Sequence, residues 1–316
     1  MMKREFGLDQ IRRDSSSLVT VGTFDGVHQG HQALLNYVMD RARSRGGTSV
    51  AVSFDPHPRE VVQGRPMALL STVPERADAL EAIGLDRFIV IPFTPAFAAL
   101  SAEDYVKDVL VDRIGLQEMV IGYDHAFGKN REGDSALLKQ LGDVYGFAVH
   151  IFPAHLVNQD VVSSSMIRKV LQEQGDVQHA AQLLGRPYRI SGLVMHGDGR
   201  GAGIGYPTAN LTLPHPGKVL PSAGVYAVRV GLEGEAVMRA GMMNIGFSPT
   251  FGGQELRVEV HIFDFNGNLY DQMLQVDMYY RIRDEQKFHS VSELIEQLSA
   301  DEQRSRAQLN HNGESE

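Results

Sequence analysis

Cysteine is absent from all 316 residues. That absence excludes disulfides, thiolate catalysis and cysteine-ligated zinc together. An excess of basic charge is also absent, the formal net charge being −9. Broad binding to nucleic acid or to an acidic membrane needs a basic face, so neither is an expected partner. A nucleotide substrate stays open, because a few arginines, backbone N–H groups and a metal ion suffice locally. The longest apolar run, "FIVIPFTPAFAAL" at 88–100, is interrupted by Pro92 and Pro95. It is too short to span a bilayer, which takes about 20 residues. The opening "MMKREFGLDQIRRD" carries basic residues without the apolar stretch of a secretory signal. Internal repeats and low-complexity tracts are lacking. The expectation is a cytoplasmic protein.

The chain is about twice the length of a typical domain, which predicts two. Its first half alternates strand and helix signals: strands at 17–24, 48–54, 87–93, 118–123 and 147–152, helices at 30–46, 73–84, 101–115 and 135–146. That alternation predicts a parallel sheet covered on both faces, a Rossmann-like α/β domain. A helical stretch follows at 163–185, and the pattern then changes. Short alternating segments at 188–197, 224–232, 236–246, 256–265 and 273–283 are punctuated by glycine, proline or asparagine. They predict antiparallel β-structure closed as a small barrel or sandwich, with one terminal helix at 290–309. The expected division is 1–185 and 186–316.

Two dense clusters carry the chemistry. The first, "GTFDGVHQGH" at 22–31, follows a strand and opens a helix. In an open parallel sheet, ligands bind beyond the carboxyl ends of strands. Gly22, Gly26 and Gly30 permit tight turns and close backbone approach. The helix start offers N–H groups and a positive dipole end, which suit phosphate. His28 and His31 could donate to phosphate oxygens there, or bind zinc with His57 as a third ligand. "SSSMIR" at 163–168 is a helix N-terminus of the same kind. "GYDHAFGKN" is not a P-loop: five residues separate its glycines and Asn130 stands where Ser/Thr is needed.

The second cluster is "HGDGRGAGIGYPTANL" at 196–211. A dinucleotide fingerprint would be followed at once by a helix, but Pro207 and an extended stretch follow instead. The better reading is a glycine loop, Gly197, Gly199, Gly201 and Gly205, folding its N–H groups over phosphates. Thr208 and Asn210 offer two oxygens on one side of an extended segment, which suits Mg²⁺ and phosphate.

These stretches resemble one family throughout the chain. "GTFDGVHQGH", "FDPHPREVV", "IGYDHAFGKNREGD" and "SSSMIR" are similar to the nucleotidylyltransferase half of bacterial bifunctional riboflavin kinase/FMN adenylyltransferases. "GYPTANL", "NIGFSPTFGG", "VEVHIFDF" and "RIRDEQKFHSVSELIEQL" resemble the riboflavin kinase half. The resemblance implies that His28 and His31 stabilise the adenylyl transition state beside Gly22, Thr23, Phe24 and Gly30. It implies that Ser164, Ser165 and Arg168 hold the triphosphate, and that Asp124, Phe127 and Gly128 lie on the flavin-nucleotide side. In the kinase half it makes Glu259 the base for the ribityl 5′-hydroxyl. ATP, Mg²⁺, riboflavin, FMN and FAD are the implied cofactors, substrates and products. Two positions depart from the family pattern: Ala202 stands where arginine is frequent, with Arg200 two residues earlier, and His125 replaces an aromatic residue. The Ala202 departure makes the alternative a chain with one working module, the other a flavin-binding or regulatory remnant.

Overall fold

A computed structural model describes the chain except for residues 123–126, 130–131, 154–155, 158–159, 198–200, 251–252 and 312–316; side chains are also undescribed at 156–157, 160–161, 248–250, 253–255 and 311. Contacts divide the chain into two units, Met1–Ser164 and Ser165–Glu316.

The first unit is built on a six-stranded sheet. Its strands are β1 (Lys3–Phe6), β2 (Ser17–Val21), β3 (Thr48–Asp55), β4 (Arg87–Pro92), β5 (Leu116–Gly122) and β6 (Ala148–Phe152). They lie in the order β1-β4-β3-β2-β5-β6, and every neighbouring pair is parallel. Alternate residues bury on opposite faces, as strand geometry requires. Val50, Val52, Ile89 and Ile91 pack on one face with Tyr105, Val106 and Leu110. Ala51, Phe88 and Val90 pack on the other with Leu35, Met39 and Leu80. Burial on both faces explains why these strands read as nearly continuous apolar runs.

Helices cover the sheet. α1 (Gln29–Arg45) ends at Gly46 in left-handed backbone, and α3 (Val73–Ala82) opens with a capping box between Thr72 and Glu75. A short α2 (Pro58–Gln63) lies between them, and α4 (Pro95–Ala98) and α6 (Ser135–Tyr145) come later. The helix expected at 101–115 begins as α5 (Ala102–Asp104), where the Asp104 N–H donates to Ser101 Oγ at 3.0 Å. It then continues with π-helical bonding over Tyr105–Ile114, which periodicity cannot distinguish from α-helix.

Strand β1 lies outside the sequence expectation. Only one of its four residues is buried, so it carries no apolar pattern. A buried ion pair ties it in: the Arg87 guanidinium on β4 donates to Glu5 Oε2 at 2.8 Å and to the Arg12 carbonyl at 2.8 Å.

The second unit opens with α7 (Ser164–Lys169), a segment that straddles the division and continues as a π-helical turn over Val170–Gln174. Gly175, at φ 63°, breaks the single helix expected at 163–185, and α8 (Val177–Leu184) follows, capped by Asp176. β7 (Leu156–Val157) and β8 (Asp160–Val161) form a small antiparallel pair in the first unit. The barrel strands are β9 (Tyr188–Met195), β10 (Ala209–Thr212), β11 (Gly224–Gly231), β12 (Arg239–Thr250), β13 (Gly253–Ile262) and β14 (Met273–Arg283). They close in the order β10-β13-β12-β11-β14-β9, with β10 returning to β9 and every pair antiparallel. The barrel is the one of the two expected closures that forms. α8 packs on β14 and β9, and the terminal α9 (Val291–His311) packs on β11, β12 and β14. No helix among the described residues is long and apolar enough to cross a membrane.

Removing one member of a buried ion pair leaves the other charge uncompensated. Arg87→Met is therefore expected to destabilise the first unit by about 3–5 kcal/mol. The double change Glu5→Leu with Arg87→Met is expected to lose clearly less. Chemical denaturation monitored on both variants checks the ordering.

Candidate active sites

The order β1-β4-β3-β2-β5-β6 reverses direction between β2 and β5. That is a topological switch point, where a crevice opens beyond the carboxyl ends of the strands. The "GTFDGVHQGH" loop leaves β2 there. Its tightness comes from an unexpected source. The left-handed residues are Phe24 (φ 47°), Gly26 (φ 84°) and Val27 (φ 43°), so two of the three carry side chains. Phe24 and Val27 are buried, and their packing holds a backbone that non-glycine residues disfavour. Gly22 and Gly30 serve close approach instead. A Cβ at Gly22 would lie 3.2 Å from the Phe24 ring, and one at Gly30 would lie 3.2 Å from His28 Nδ1.

His28 is the N-cap of α1, and its Nδ1 accepts the His31 N–H at 3.3 Å. An accepting Nδ1 puts the proton of the neutral ring on Nε2. The two imidazoles stack at 3.7 Å between centroids, tilted by 17°. Phe24 meets His31 edge-on at 5.4 Å. The pair thus forms one polar surface at a helix mouth. His57 caps α2, its Nδ1 accepting from the Arg59 N–H at 3.1 Å. Among the described residues no cluster of three or more His, Asp or Glu side chains could hold a metal ion, so the zinc reading has no ligand set.

Ser164 donates its hydroxyl to the Asp25 carbonyl at 2.9 Å, which ties the start of "SSSMIR" to the histidine loop. Ser165 is exposed and Arg168 half-buried; both fall in the second contact unit. Thr23 gives its carbonyl to the Ser53 hydroxyl at 3.1 Å. Phe127 is a core residue, 6.3 Å from Tyr105 between centroids, and it pairs with Gly133 through two backbone bonds. Gly128 has φ 74°, and a Cβ there would meet the Ala102 backbone at 2.8 Å. Phe127 and Gly128 therefore anchor their loop. Asp124 and His125 lie outside the described residues. Burial raises the Tyr105 hydroxyl pKa.

Sequence reading passed over an aromatic cluster at the same end of the sheet. Phe54 ends β3, Phe93 follows β4 and Phe97 lies in α4; their centroids are 5.4 to 5.9 Å apart. The available signal was an aromatic residue at the carboxyl end of each of two parallel strands, Phe54 one residue before the end of β3 and Phe93 directly after β4.

The second site is a cavity of about 360 Å³ at the barrel. Cross-strand register sets Asn210 of β10 and Asn244 of β12 on either side of Glu259 of β13. Thr208, Asn210, Glu259 and His261 all line the cavity, as strand alternation predicts. His261 Nδ1 donates to the Pro207 carbonyl at 2.7 Å, fixing the "YPTAN" turn against β13. A Cβ on Gly197 would fall 2.1 Å from the Asn210 amide nitrogen, and one on Gly201 would fall 2.2 Å from the Tyr206 carbonyl. Gly205 has φ 87°. Gly197 thus lies against the Asn210 side chain and Gly201 against the turn backbone; Gly199 and Arg200 lie outside the described residues. Ala202 sits exposed in a single 3₁₀ turn. The far wall is apolar: Met242, Phe247, Phe288, Leu294 and Leu298. Glu285 was also passed over: its carboxylate lies against Gly246 and lines the same cavity.

Comparisons with known proteins agree with this pair of sites. Residues 10–166 match the FAD synthetase family model and residues 184–309 the riboflavin kinase family model. The bifunctional riboflavin kinase/FMN adenylyltransferase of Bacillus subtilis is 37% identical over 92% of this chain and 91% of its own length. That of Escherichia coli K12 is 37% identical over 90% of both, and that of Buchnera aphidicola 36% identical over 95% and 96%. A crystal structure of a Streptococcus pneumoniae protein, described as a macrolide-efflux protein, shares the fold with a TM-score of 0.84 at 32% identity, covering 96% of this chain and 99% of that one. Both catalytic modules are present and in the family's order, which leaves the one-module alternative without support. The chain belongs to the bifunctional riboflavin kinase/FMN adenylyltransferases, transferases that make FMN from riboflavin and FAD from FMN with ATP.

Proposed function

We propose that the stacked His28/His31 pair performs adenylyl transfer and that Glu259, with Thr208 and Asn210, performs riboflavin phosphorylation. The carrying observation is the geometry of the histidine pair at a switch-point helix mouth: His28 caps α1 through Nδ1 and stacks on His31. In the first reaction an FMN phosphate oxygen attacks the α-phosphorus of ATP, and pyrophosphate leaves. Charge building on that phosphorus is met by preorganised donors: His28, His31 and the N–H groups around Gly22, Thr23, Phe24 and Gly30. Ser164, Ser165 and Arg168 hold the remaining phosphates, Arg168 by a bidentate charged contact. Asp124 takes part on the flavin-nucleotide side, and Phe127 and Gly128 act there by holding their loop. Phe54, Phe93 and Phe97 supply an apolar wall suited to a flavin ring.

In the second reaction the ribityl 5′-hydroxyl attacks the γ-phosphorus, its proton passes to Glu259, and ADP leaves. The glycine loop from Gly197 to Gly205 covers the phosphates. Thr208 and Asn210 offer hard, neutral oxygens beside the Glu259 carboxylate, a donor set that fits Mg²⁺. When bound, Mg²⁺ offsets phosphate charge. The adenylyl module is assigned to 1–185 and the kinase module to 186–316. The chain works in the cytoplasm, the site of its ATP, as a monomer or weak homo-oligomer, without nucleic acid or membrane; the net charge of −9 supports this.

Each activity is an internal control for the other. His28→Ala is expected to lower FAD formation from supplied FMN by about 100-fold or more and to leave FMN formation unchanged. Glu259→Gln is expected to do the reverse, by roughly 10²–10⁴-fold. Chromatography of flavin products checks both, and a variant that lowers the two steps equally would contradict the assignment. Steric reasoning adds a second pair. Gly30→Ala displaces the His28 ring and is expected to impair adenylyl transfer alone; Gly197→Ala displaces the Asn210 amide and is expected to impair the kinase alone. Chelation of divalent cations is expected to stop FMN formation, with added Mg²⁺ restoring it.

A further inference from the structure

We infer that Arg76 and Asp25 form one buried unit, joined through Ser71, that positions the histidine loop for adenylyl transfer. This rests on the role given above to His28 and His31. Asp25 is fully buried and Arg76 is 2% exposed. A buried charge is strongly disfavoured unless it is paired and hydrogen-bonded. Neither residue carries a role in the reaction itself.

The contacts reach each turn of the loop. Asp25 accepts from the Leu70 N–H at 3.1 Å and from the Ser71 N–H at 3.0 Å. The Ser71 hydroxyl donates to Asp25 Oδ1 at 3.4 Å and accepts the Gly26 N–H at 2.8 Å. From α3, Arg76 Nη2 donates to the Ser71 carbonyl at 3.4 Å and Nη1 to the Ser53 hydroxyl at 2.8 Å. Ser53 in turn donates to the Thr23 carbonyl at 3.1 Å. Thr23, Asp25 and Gly26 are thus all held from one guanidinium or its partners. These residues bracket and interleave the left-handed positions Phe24, Gly26 and Val27, immediately before His28.

Burial lowers the Arg76 pKa, while the charges of Asp25, Asp55 and Glu75 oppose that shift. Asp25 is the largest of the three opposing charges, and Asp55 is exposed. Loss of the Arg76 cation removes its bonds to Ser71 and Ser53, and loss of the Asp25 charge takes away the largest charge that favours the buried guanidinium. The strained backbone then relaxes, and the imidazoles move from their stacked arrangement. Small displacements of this kind act on the transition state more than on ground-state binding.

The test uses the full-length protein. Asp25→Asn, Arg76→Met, Arg76→Lys and the Asp25→Asn/Arg76→Met double variant are assayed for FMN→FAD and, in the same preparation, for riboflavin→FMN. Each of Asp25→Asn and Arg76→Met is expected to lower adenylyl kcat at least about tenfold, with KM for FMN and ATP little changed and the kinase step intact. Arg76→Lys is expected to recover part of the loss. The double variant is expected to be no worse than the worse single, a coupling of the size that residues in one network show. Losses that multiply, a change in KM alone, or equal falls in both steps would overturn the inference. Ser71→Ala removes only the linking hydroxyl and serves if Arg76→Met does not fold; unchanged adenylyl kcat in Ser71→Ala overturns the inference as well. His28→Ala, run alongside, separates the two failures: if it leaves FAD formation unchanged, the role of the histidines is wrong whatever Arg76 does.

Discussion

Left-handed backbone at Phe24 and Val27 costs of order 1–3 kcal/mol for each non-glycine residue. The loop pays that cost through burial: Phe24 and Val27 are sealed in the core beneath α1 and α3. The polar side of the same loop is tied by Asp25, Ser71 and Ser53. The N-cap geometry of His28 follows from where this loop ends. With Nδ1 committed to the first turn of α1, the ring has one orientation and one neutral tautomer. The rest of the N-terminal site is arranged around that fixed pair.

The two units meet the same physical demand on different scaffolds. Both reactions attack phosphorus in ATP, so both need phosphate positioned and charge offset rather than a covalent intermediate. The parallel sheet supplies a helix mouth at a switch point. In the barrel, glycines lie close over polar groups, Gly197 on the Asn210 amide and Gly201 on the Tyr206 carbonyl. Antiparallel register then sets Asn210, Glu259 and Asn244 side by side across three strands. The apolar wall from β12 to α9 gives the cavity its second character.

Much of the architecture was legible because burial writes itself into spacing. Strands covered on both faces carry unbroken apolar runs, as at 88–91, and helices keep their caps, as at Thr72 and Gly46. What escaped had no such imprint. β1 is exposed at three of four positions, and its attachment is an ion pair with a residue 82 positions away. The π-helical turns preserve the apolar face of an α-helix and change only the bonding. Gly175 broke the helix expected at 163–185, because a glycine inside a helical pattern reads the same whether or not its φ is positive. In the first site, His28 and His31 stood out by motif and context. Phe127 was expected on the flavin-nucleotide side; that its ring packs against Tyr105 was not legible, since an aromatic residue in a loop has no periodicity to reveal its direction.

By itself the sequence determined the fold class of each half, the order of the modules and the family. Those properties depend on local pattern: alternation, caps, glycine spacing and residue type. Only the tertiary structure decided which residues bear the left-handed turns, which imidazole nitrogen faces the helix, and that Arg76 and Asp25 share a buried network beneath the loop. Such properties depend on residues distant in sequence meeting in space, where a buried charge must find its partner or not be charged at all.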